Sequence, residues 1–233
     1  MMNETQWCEA LAQQGILLSR DQRQQFHRYY EWLIQENAKY NLTAIIEQEE
    51  VYEKHFYDSL SLAWQMKWTT QRVCDVGAGA GFPGIPLALV NPTLQLVPLD
   101  ATAKKMDFLR TLKTILPLPH VQPEQGRAEE YHQKPFDVVL ARGVATLPIL
   151  LELVANLVRI GGMVIAMKGP NYVQELQEAQ TAIALLGYRL ERVEPYVLPT
   201  HQEQRFNLYF IKEKKHSLAY PRKYAKIKQR PLL

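Results

Sequence analysis

The sequence predicts an α/β protein: a mostly parallel, seven-stranded sheet with helices on both faces, preceded by an N-terminal helical extension. Three observations predict it. From Gln71 onward, short β-branched or apolar runs alternate with stretches of helical periodicity, as βα units do. Residues 1–70 instead carry apolar side chains at helical spacing. One strand runs straight into a glycine-rich turn, where the backbone can approach a ligand closely. The 233 residues suit one large domain or one domain with a small appendage, and 47% apolar against 22% charged residues is enough for a sizeable core.

In the extension, residues 1–70, Ser19 and Gln22 have the form of a capping box. Phe26, Tyr30, Leu33 and Asn37 follow at helical spacing, with Ile34 beside them. A second amphipathic helix is expected from about Tyr57 to Trp68, with Leu60, Trp64 and Met66 among its apolar residues. The main domain is expected over residues 71–212. Its seven strands are Arg72–Val76, Gln95–Leu99, Val121–Gln125, Phe136–Ala141, Met163–Met167, Arg189–Leu198 and Arg205–Lys212. Helices fall between them: Thr102–Ile115, a helix opened by Pro148 that runs to about Val158 and stops before Gly161-Gly162, and residues 172–186 with Gly187 as the stop. Residues 213–233 form a basic C-terminal tail.

The formal charge of +3 hides an asymmetry. Residues 212–230 hold eight basic groups against Glu213, a local charge of +7 that leaves −4 for the rest of the chain. Such a stretch is either a phosphate-binding arm or a solubilising end, and Tyr220 and Tyr224 within it, able to stack on bases, favour nucleic acid. No apolar run approaches the ~20 residues of a membrane helix, so no membrane partner is expected. The polar, acidic N-terminus is unlike a signal peptide, and two cysteines make neither a disulfide scaffold nor a cysteine-rich zinc site. The six histidines lack ligand spacing, so no metal is expected. The expected protein is cytoplasmic, reduced and monomeric.

The sharpest local signal is the run from Arg72 to Gly84. Gly79, Gly81 and Gly84 fit a dinucleotide fingerprint, but Gly77 directly ends the strand, and Asp75 lies two residues before it. A carboxylate so near repels a pyrophosphate and suits an ammonium group. S-adenosylmethionine carries an amino group and a sulfonium and no phosphate, so Asp75 tips the reading toward that cofactor. Asp100 ends the second strand, where a carboxylate accepts from both ribose hydroxyls or simply caps a helix. Ala128 and Glu129 follow the third strand, where an adenine would lie.

Absences narrow the methyl acceptor. Carbon-5 methylation of a pyrimidine needs a cysteine near a later strand end, and Cys8 and Cys74 are both misplaced for it. Amino-group methylation commonly uses an Asn/Asp-Pro-Pro-aromatic loop; the equivalent stretch here reads Ala141-Arg142-Gly143-Val144-Ala145. A ring nitrogen with its own lone pair needs alignment and no base. Guanine N7, with O6 beside it, suits a cation, and Arg142 and Lys168 at strand ends are the candidate catalytic residues, with a salt bridge as the alternative role for each.

These residues resemble one family over nearly the whole chain: bacterial ribosomal RNA small subunit methyltransferase G, also called the glucose-inhibited division protein B family. The resemblance is carried by Asn41-Leu42-Thr43, His55 to Leu60, Asp75 to Pro86 with its Gly81-Phe82-Pro83-Gly84-Ile85-Pro86 run, Asp100 with Lys104-Lys105, Arg127-Ala128-Glu129, Arg142, Lys168-Gly169 and Tyr220-Pro221-Arg222-Lys223. It implies a class I (Rossmann-like) methyltransferase fold and transfer of methyl from S-adenosylmethionine to N7 of a guanine in 16S ribosomal RNA, position 527 in the usual bacterial numbering. It implies cofactor contacts at Asp75, Gly77, Gly79, Phe82, Asp100, Thr102, Ala128, Glu129 and Arg142. Lys104, Lys105, Arg222 and Lys223 are then the expected RNA contacts, on naked 16S ribosomal RNA or on the small ribosomal subunit. The chain departs from the family at Ala101, Ala141 and Gly143. It also departs in the tail, where Tyr224-Ala225-Lys226-Ile227-Lys228 replaces the usual small residues and prolines.

Other readings are weaker. A nicotinamide oxidoreductase fails at Asp75 and at the lack of a placed proton donor. A non-enzymatic nucleic-acid-binding protein sits poorly with an intact glycine loop and Asp100. A methyltransferase for another RNA shares every feature above, and one for a small molecule leaves the +7 tail unexplained. His55 and Asp58, three apart, are expected to fix the extension to the main domain rather than to catalyse.

Overall fold

Side-chain caps start the first two helices of the computed structural model, which describes residues 2–233. Asn3 and Gln6 exchange reciprocal hydrogen bonds at the head of α1 (Glu4–Gln13), and Ser19 and Gln22 do the same for α2 (Arg20–Tyr40). The buried stripe of α2 is Phe26, Tyr29, Leu33 and Glu36, so Tyr29 rather than Tyr30 faces inward. The second expected helix starts earlier than its pattern indicated. It runs from α3 (Gln48–Glu50) through a π-helical stretch, Val51–Tyr57, into α4 (Asp58–Gln65). The π stretch is buried at every position but Lys54, so no amphipathic period marks it.

Seven strands form one sheet in the order β3-β2-β1-β4-β5-β7-β6, parallel except for β7, which runs antiparallel to both its neighbours. In chain order, β1 (Arg72–Val76) leads to α5 (Gly84–Val90), and β2 (Gln95–Asp100) to α6 (Ala103–Ile115), with Thr102 at its N-cap position. Then come β3 (Glu124–Gln125), β4 (Phe136–Arg142), α7 (Leu147–Leu153) and β5 (Val158–Lys168). After α8 (Tyr172–Glu178) and α9 (Gln180–Leu186), the chain returns through β6 (Tyr188–Val197) and β7 (Gln204–Lys212) and ends in α10 (Tyr224–Gln229).

Three elements differ from expectation. β3 shrinks to two residues plus an isolated bridge from Val121 to Leu96, because Pro123 has no N–H to give the ladder. The single helix expected over residues 172–186 divides at Ala179. Gly161-Gly162 do not follow a helix; they lie inside β5. Val158 pairs with Phe136 and Met163 with Val138, so the glycines form a bulge, with Gly161 at φ 75°.

The extension is not a separate layer. Trp7, Phe26, Tyr52 and Phe56 pack edge to face at 4.9–5.2 Å and belong to the same apolar cluster as Val73, Leu96 and Leu140 of the sheet. The opposite sheet face packs on α7, α9 and Ile227 of α10. The parallel register brings Val76, Asp100, Arg142 and Lys168 to one edge of the sheet.

Candidate active site

The turn after β1 is held against β2: Gly77 and Ala78 donate to the Leu99 carbonyl, at 2.8 and 3.3 Å. Gly81 and Gly84 are required sterically, since a Cβ on Gly81 would lie 2.6 Å from Ile85. A Cβ on Gly84 would lie 2.7 Å from Asp75 Oδ2, the atom that accepts the Gly84 N–H at 2.9 Å. Gly79, at φ 57°, has nothing nearer its missing Cβ than a carbonyl at 3.8 Å, so its surface is open to a ligand. Gly77 is less open, since a Cβ there would lie 2.9 Å from Val144.

Asp100 stands beside this turn, 8% exposed. Its Oδ1 accepts the Thr102 N–H at 2.9 Å; its Oδ2 takes Gly79 N–H and Lys105 Nζ, both at 3.3 Å. Asp100 therefore stiffens the loop; the N-cap position of α6 is Thr102, whose side chain makes no capping hydrogen bond. Lys105, expected on RNA phosphates, reaches Asp100 at 3.3 Å, and Lys104 is exposed. Ala128 and Glu129 lie on a 3₁₀ turn, Ala128–Glu130, and both are buried. Together Gly77, Asp100, Ala128, Glu129, Val144 and Tyr224 line a cavity of about 120 Å³.

Two buried carboxylate oxygens near these loops have no hydrogen-bond partner: Asp75 Oδ1 and Glu129 Oε1. Natural structures rarely leave such atoms orphaned, and only Glu129 Oε1 has a cation near, Arg127 at 3.9 Å, so both oxygens can still take a donor. An ammonium group and an adenine amino group are donors of the right kind, whereas a phosphate is an acceptor and satisfies neither. The residues therefore fit S-adenosylmethionine, whose ammonium group is the one donor of the two that a dinucleotide lacks. Burial pushes the Asp75 carboxyl up to about 7, against a lowering pull from the Gly84 N–H and Arg142.

A second cavity, about 420 Å³, opens on the far side of the Arg142–Val144 loop and is lined by His55, Asp58, Arg142, Lys168, Tyr196 and Arg205, among others. Arg142 does not hang free in it. One guanidinium nitrogen donates to the Lys54 carbonyl at 3.0 Å and to Asp58 Oδ2 at 2.7 Å, and the other reaches His55 Nδ1 at 3.2 Å. The salt bridge weighed as the alternative role is thus present, although two of the five N–H groups keep no protein partner among the described residues. His55 is held at both ring nitrogens: Nδ1 lies 3.2 Å from both the Arg142 guanidinium and the Lys54 carbonyl, and Nε2 lies 2.9 Å from the Thr43 hydroxyl. Burial, then Arg142, lowers His55 to about 3, so it stays neutral. Phe82, expected to touch the cofactor, is only 6% exposed; it stacks on His55 at 4.4 Å and lies 5.3 Å below the Arg142 guanidinium, as support.

Asp58 is the hub of this cavity. Its Oδ1 accepts from Tyr196 at 2.9 Å and lies 3.6 Å from Arg205, so one carboxylate joins the extension to β4, β6 and β7. Lys168 donates to the Ala145 carbonyl at 2.6 Å and to Glu175 at 2.7 Å, which holds the Arg142–Ala145 loop over the cavity. Lys54, Glu175, Tyr196 and Arg205 were missed in the sequence. Their only signal was charge or a hydroxyl in ordinary elements, and the antiparallel return of β6 and β7 is what brings the last two here.

The tail is folded and not a free arm. Arg222 donates through its backbone N–H, Nε and a terminal nitrogen to Glu152, which is fully buried in α7, at 2.6–3.0 Å. Arg222, expected on RNA, is thus engaged by a buried carboxylate that requires its charge. Lys212 is buried too, over the Tyr188 ring. Lys223, Lys226, Lys228 and Arg230 are exposed. Among the described residues no helix is long and apolar enough to cross a membrane, and no three His, Cys, Asp or Glu side chains are grouped to hold a metal.

The sequence profile described as rRNA small subunit methyltransferase G matches residues 22–205. A Listeria monocytogenes protein described as ribosomal RNA small subunit methyltransferase G is 44% identical over 229 residues, covering 95% of this chain and 96% of that protein. An Exiguobacterium protein of the same description is 41% identical over 238 residues and matches end to end. Among solved structures, M. jannaschii TYW2 in complex with AdoMet overlays with a TM-score of 0.57 at 15% identity, over 72% of this chain and 79% of that one. A ribosomal protein L11 methylase from Lactobacillus delbrueckii gives 0.55 at 13%, over 69% and 79%. At such identities the likeness is one of fold, and the fold is the class I (Rossmann-like) methyltransferase fold. With a profile match over most of its length and relatives at 41% and 44% identity across it, the chain belongs to the rRNA small subunit methyltransferase G family.

Proposed function

We propose that this chain transfers the methyl group of S-adenosylmethionine to N7 of a guanine in small-subunit ribosomal RNA. The observation that carries this reading is the pair of cavities meeting at the Arg142–Val144 loop, one lined by the glycine turn, Asp100 and the orphaned Glu129, the other cationic and polar. Asp75, Gly77, Gly79, Asp100, Thr102, Ala128 and Glu129 would hold the cofactor, which supplies an electrophilic methyl on its sulfonium. Arg142 presents its two unpaired N–H groups to the acceptor edge of a guanine, N7 and O6. Lys168 holds the loop that carries Arg142. No proton has to leave N7, and the cavity offers no free base: His55 is neutral and engaged at both nitrogens, and burial raises the Tyr196 hydroxyl well above its ordinary range. Cys74 is buried in the core with its thiol pushed up, which leaves carbon-5 chemistry without a nucleophile.

Methylation at N7 puts a positive charge on the imidazole ring and labilises the glycosidic bond. RNA treated with the enzyme and S-adenosylmethionine should be cleaved by borohydride and aniline at one guanosine. Product that resists cleavage, or a digest containing a methylated amino group or carbon, would overturn the acceptor assignment.

Cofactor affinity should depend on pH through Asp75. In the free protein its carboxyl holds a proton below about pH 7, and an ammonium group binds the ionised form. Affinity should therefore fall about tenfold per unit below pH 7 and level off above pH 8. Calorimetry at pH 5.5–8.5 checks this, and Asp75→Asn should remove the slope.

RNA is expected to meet the exposed cations Lys104, Lys223, Lys226, Lys228 and Arg230. Reversing the charge of Lys223, Lys226 and Lys228 should flatten the salt dependence of RNA binding by about one unit of slope per lost contact. An unchanged slope would make the tail a solubilising end. Whether naked 16S ribosomal RNA or the small ribosomal subunit is the substrate is decided by comparing turnover on the two.

A further inference from the structure

The tail carries the segment Tyr224-Ala225-Lys226-Ile227-Lys228, and the structure puts its first residue against the cofactor cleft. α10 is locked in place. Ile227 is fully buried with Leu150, Leu151 and Leu153 of α7. Arg222 joins Glu152 to the Arg230 carbonyl, at 2.9 Å, and so clasps both ends of the short helix. The first residue of α10, Tyr224, then lines the cavity of Gly77, Asp100, Ala128 and Glu129, where it is the only aromatic lining residue among the described residues. Its ring lies 6.0 Å from the Arg127 guanidinium and is 41% exposed, so it has apolar surface still to bury.

We propose that the tail completes the adenosine end of the cleft, the Tyr224 ring packing on the adenosine of S-adenosylmethionine. This rests on the reading of the cleft given above. A planar ring at the edge of a small cavity lined by Ala128, Val144 and Leu153 suits a flat aromatic base, because stacking buries both faces without a hydrogen bond the site would have to supply. The cations Lys223, Lys226 and Lys228 ride on the same segment, so the surface expected to take RNA phosphates and the wall of the cofactor site move as one body.

The test is S-adenosylmethionine affinity by calorimetry on the full chain. Tyr224→Ala should weaken binding about tenfold, roughly 1.4 kcal/mol, with the melting temperature of the cofactor-free protein nearly unchanged, because the ring is half-exposed. Tyr224→Phe should bind as the wild type does. Tyr224→Trp should change its emission when the cofactor is added. Unchanged affinity in Tyr224→Ala, or unchanged emission in Tyr224→Trp at saturation, overturns the inference. Asp100→Ala separates the two claims. If it loses affinity while Tyr224→Ala does not, only the tail assignment falls; if the wild-type chain binds no cofactor, the reading of the cleft falls with it.

Discussion

Arg142→Ala should lower methyl transfer by about 10²–10³-fold, the usual effect of deleting one preorganised donor from a reaction site. The loss should lie in kcat, with the dissociation constant of S-adenosylmethionine changed less than about threefold, because the guanidinium lines the acceptor cavity and not the one beside Asp100. A parallel loss of cofactor affinity would move Arg142 to the cofactor. The substitution also uncovers Asp58, whose side chain is 5% exposed. Removing one partner of a buried pair typically costs about 3–5 kcal/mol; here about 2–3 is expected, since Tyr196 and Arg205 still hold the carboxylate. Arg142→Lys should recover most of the stability and little of the rate, because an ammonium supplies the charge without the fork that spans Asp58, His55 and a base edge. Denaturation and single-turnover kinetics on the same preparations separate the two effects.

Arg222→Ala should be the most destabilising single change in the tail. It leaves Glu152, fully buried, with no cation and strips two of its three hydrogen bonds from Arg222. One of those three comes from the Arg222 backbone and survives only while the tail stays docked. A cost of about 3–5 kcal/mol is expected, a fall in melting temperature of roughly 10 °C. Glu152→Gln should cost less than half as much, because it removes the buried charge and leaves an arginine that can reach water. Equal effects of the two variants would mean that packing of Ile227, and not the ion pair, holds the tail. Limited proteolysis should cut Arg222→Ala within residues 213–230 before it cuts the sheet.

The parts of the site that are local in the chain were legible from the sequence. Asp75, Gly77 and Gly79 sit on one strand and its turn, Asp100 ends the next strand, and the structure places them together because adjacent parallel strands bring consecutive turns to one edge. The strand order, with β7 antiparallel between β5 and β6, needed the structure. So did the bulge in β5, since a glycine pair reads the same whether it stops a helix or kinks a strand.

What the sequence by itself determined is therefore the alternating α/β architecture, the glycine turn with its acid, and the cofactor class those imply. What only the tertiary structure decided is which charges are free. Arg142, Lys105, Lys168 and Arg222 are all cations at plausible contact positions, yet each is already paired, with Asp58, Asp100, Glu175 and Glu152. All four partners lie in elements other than the cation's own, 84, 5, 7 and 70 residues away along the chain. The physical reason is that a charge is assigned by the field around it. Burial of Asp58, Asp100 and Glu152 makes an opposite charge obligatory wherever the fold brings one within reach, and no periodicity or motif in the chain records that distance.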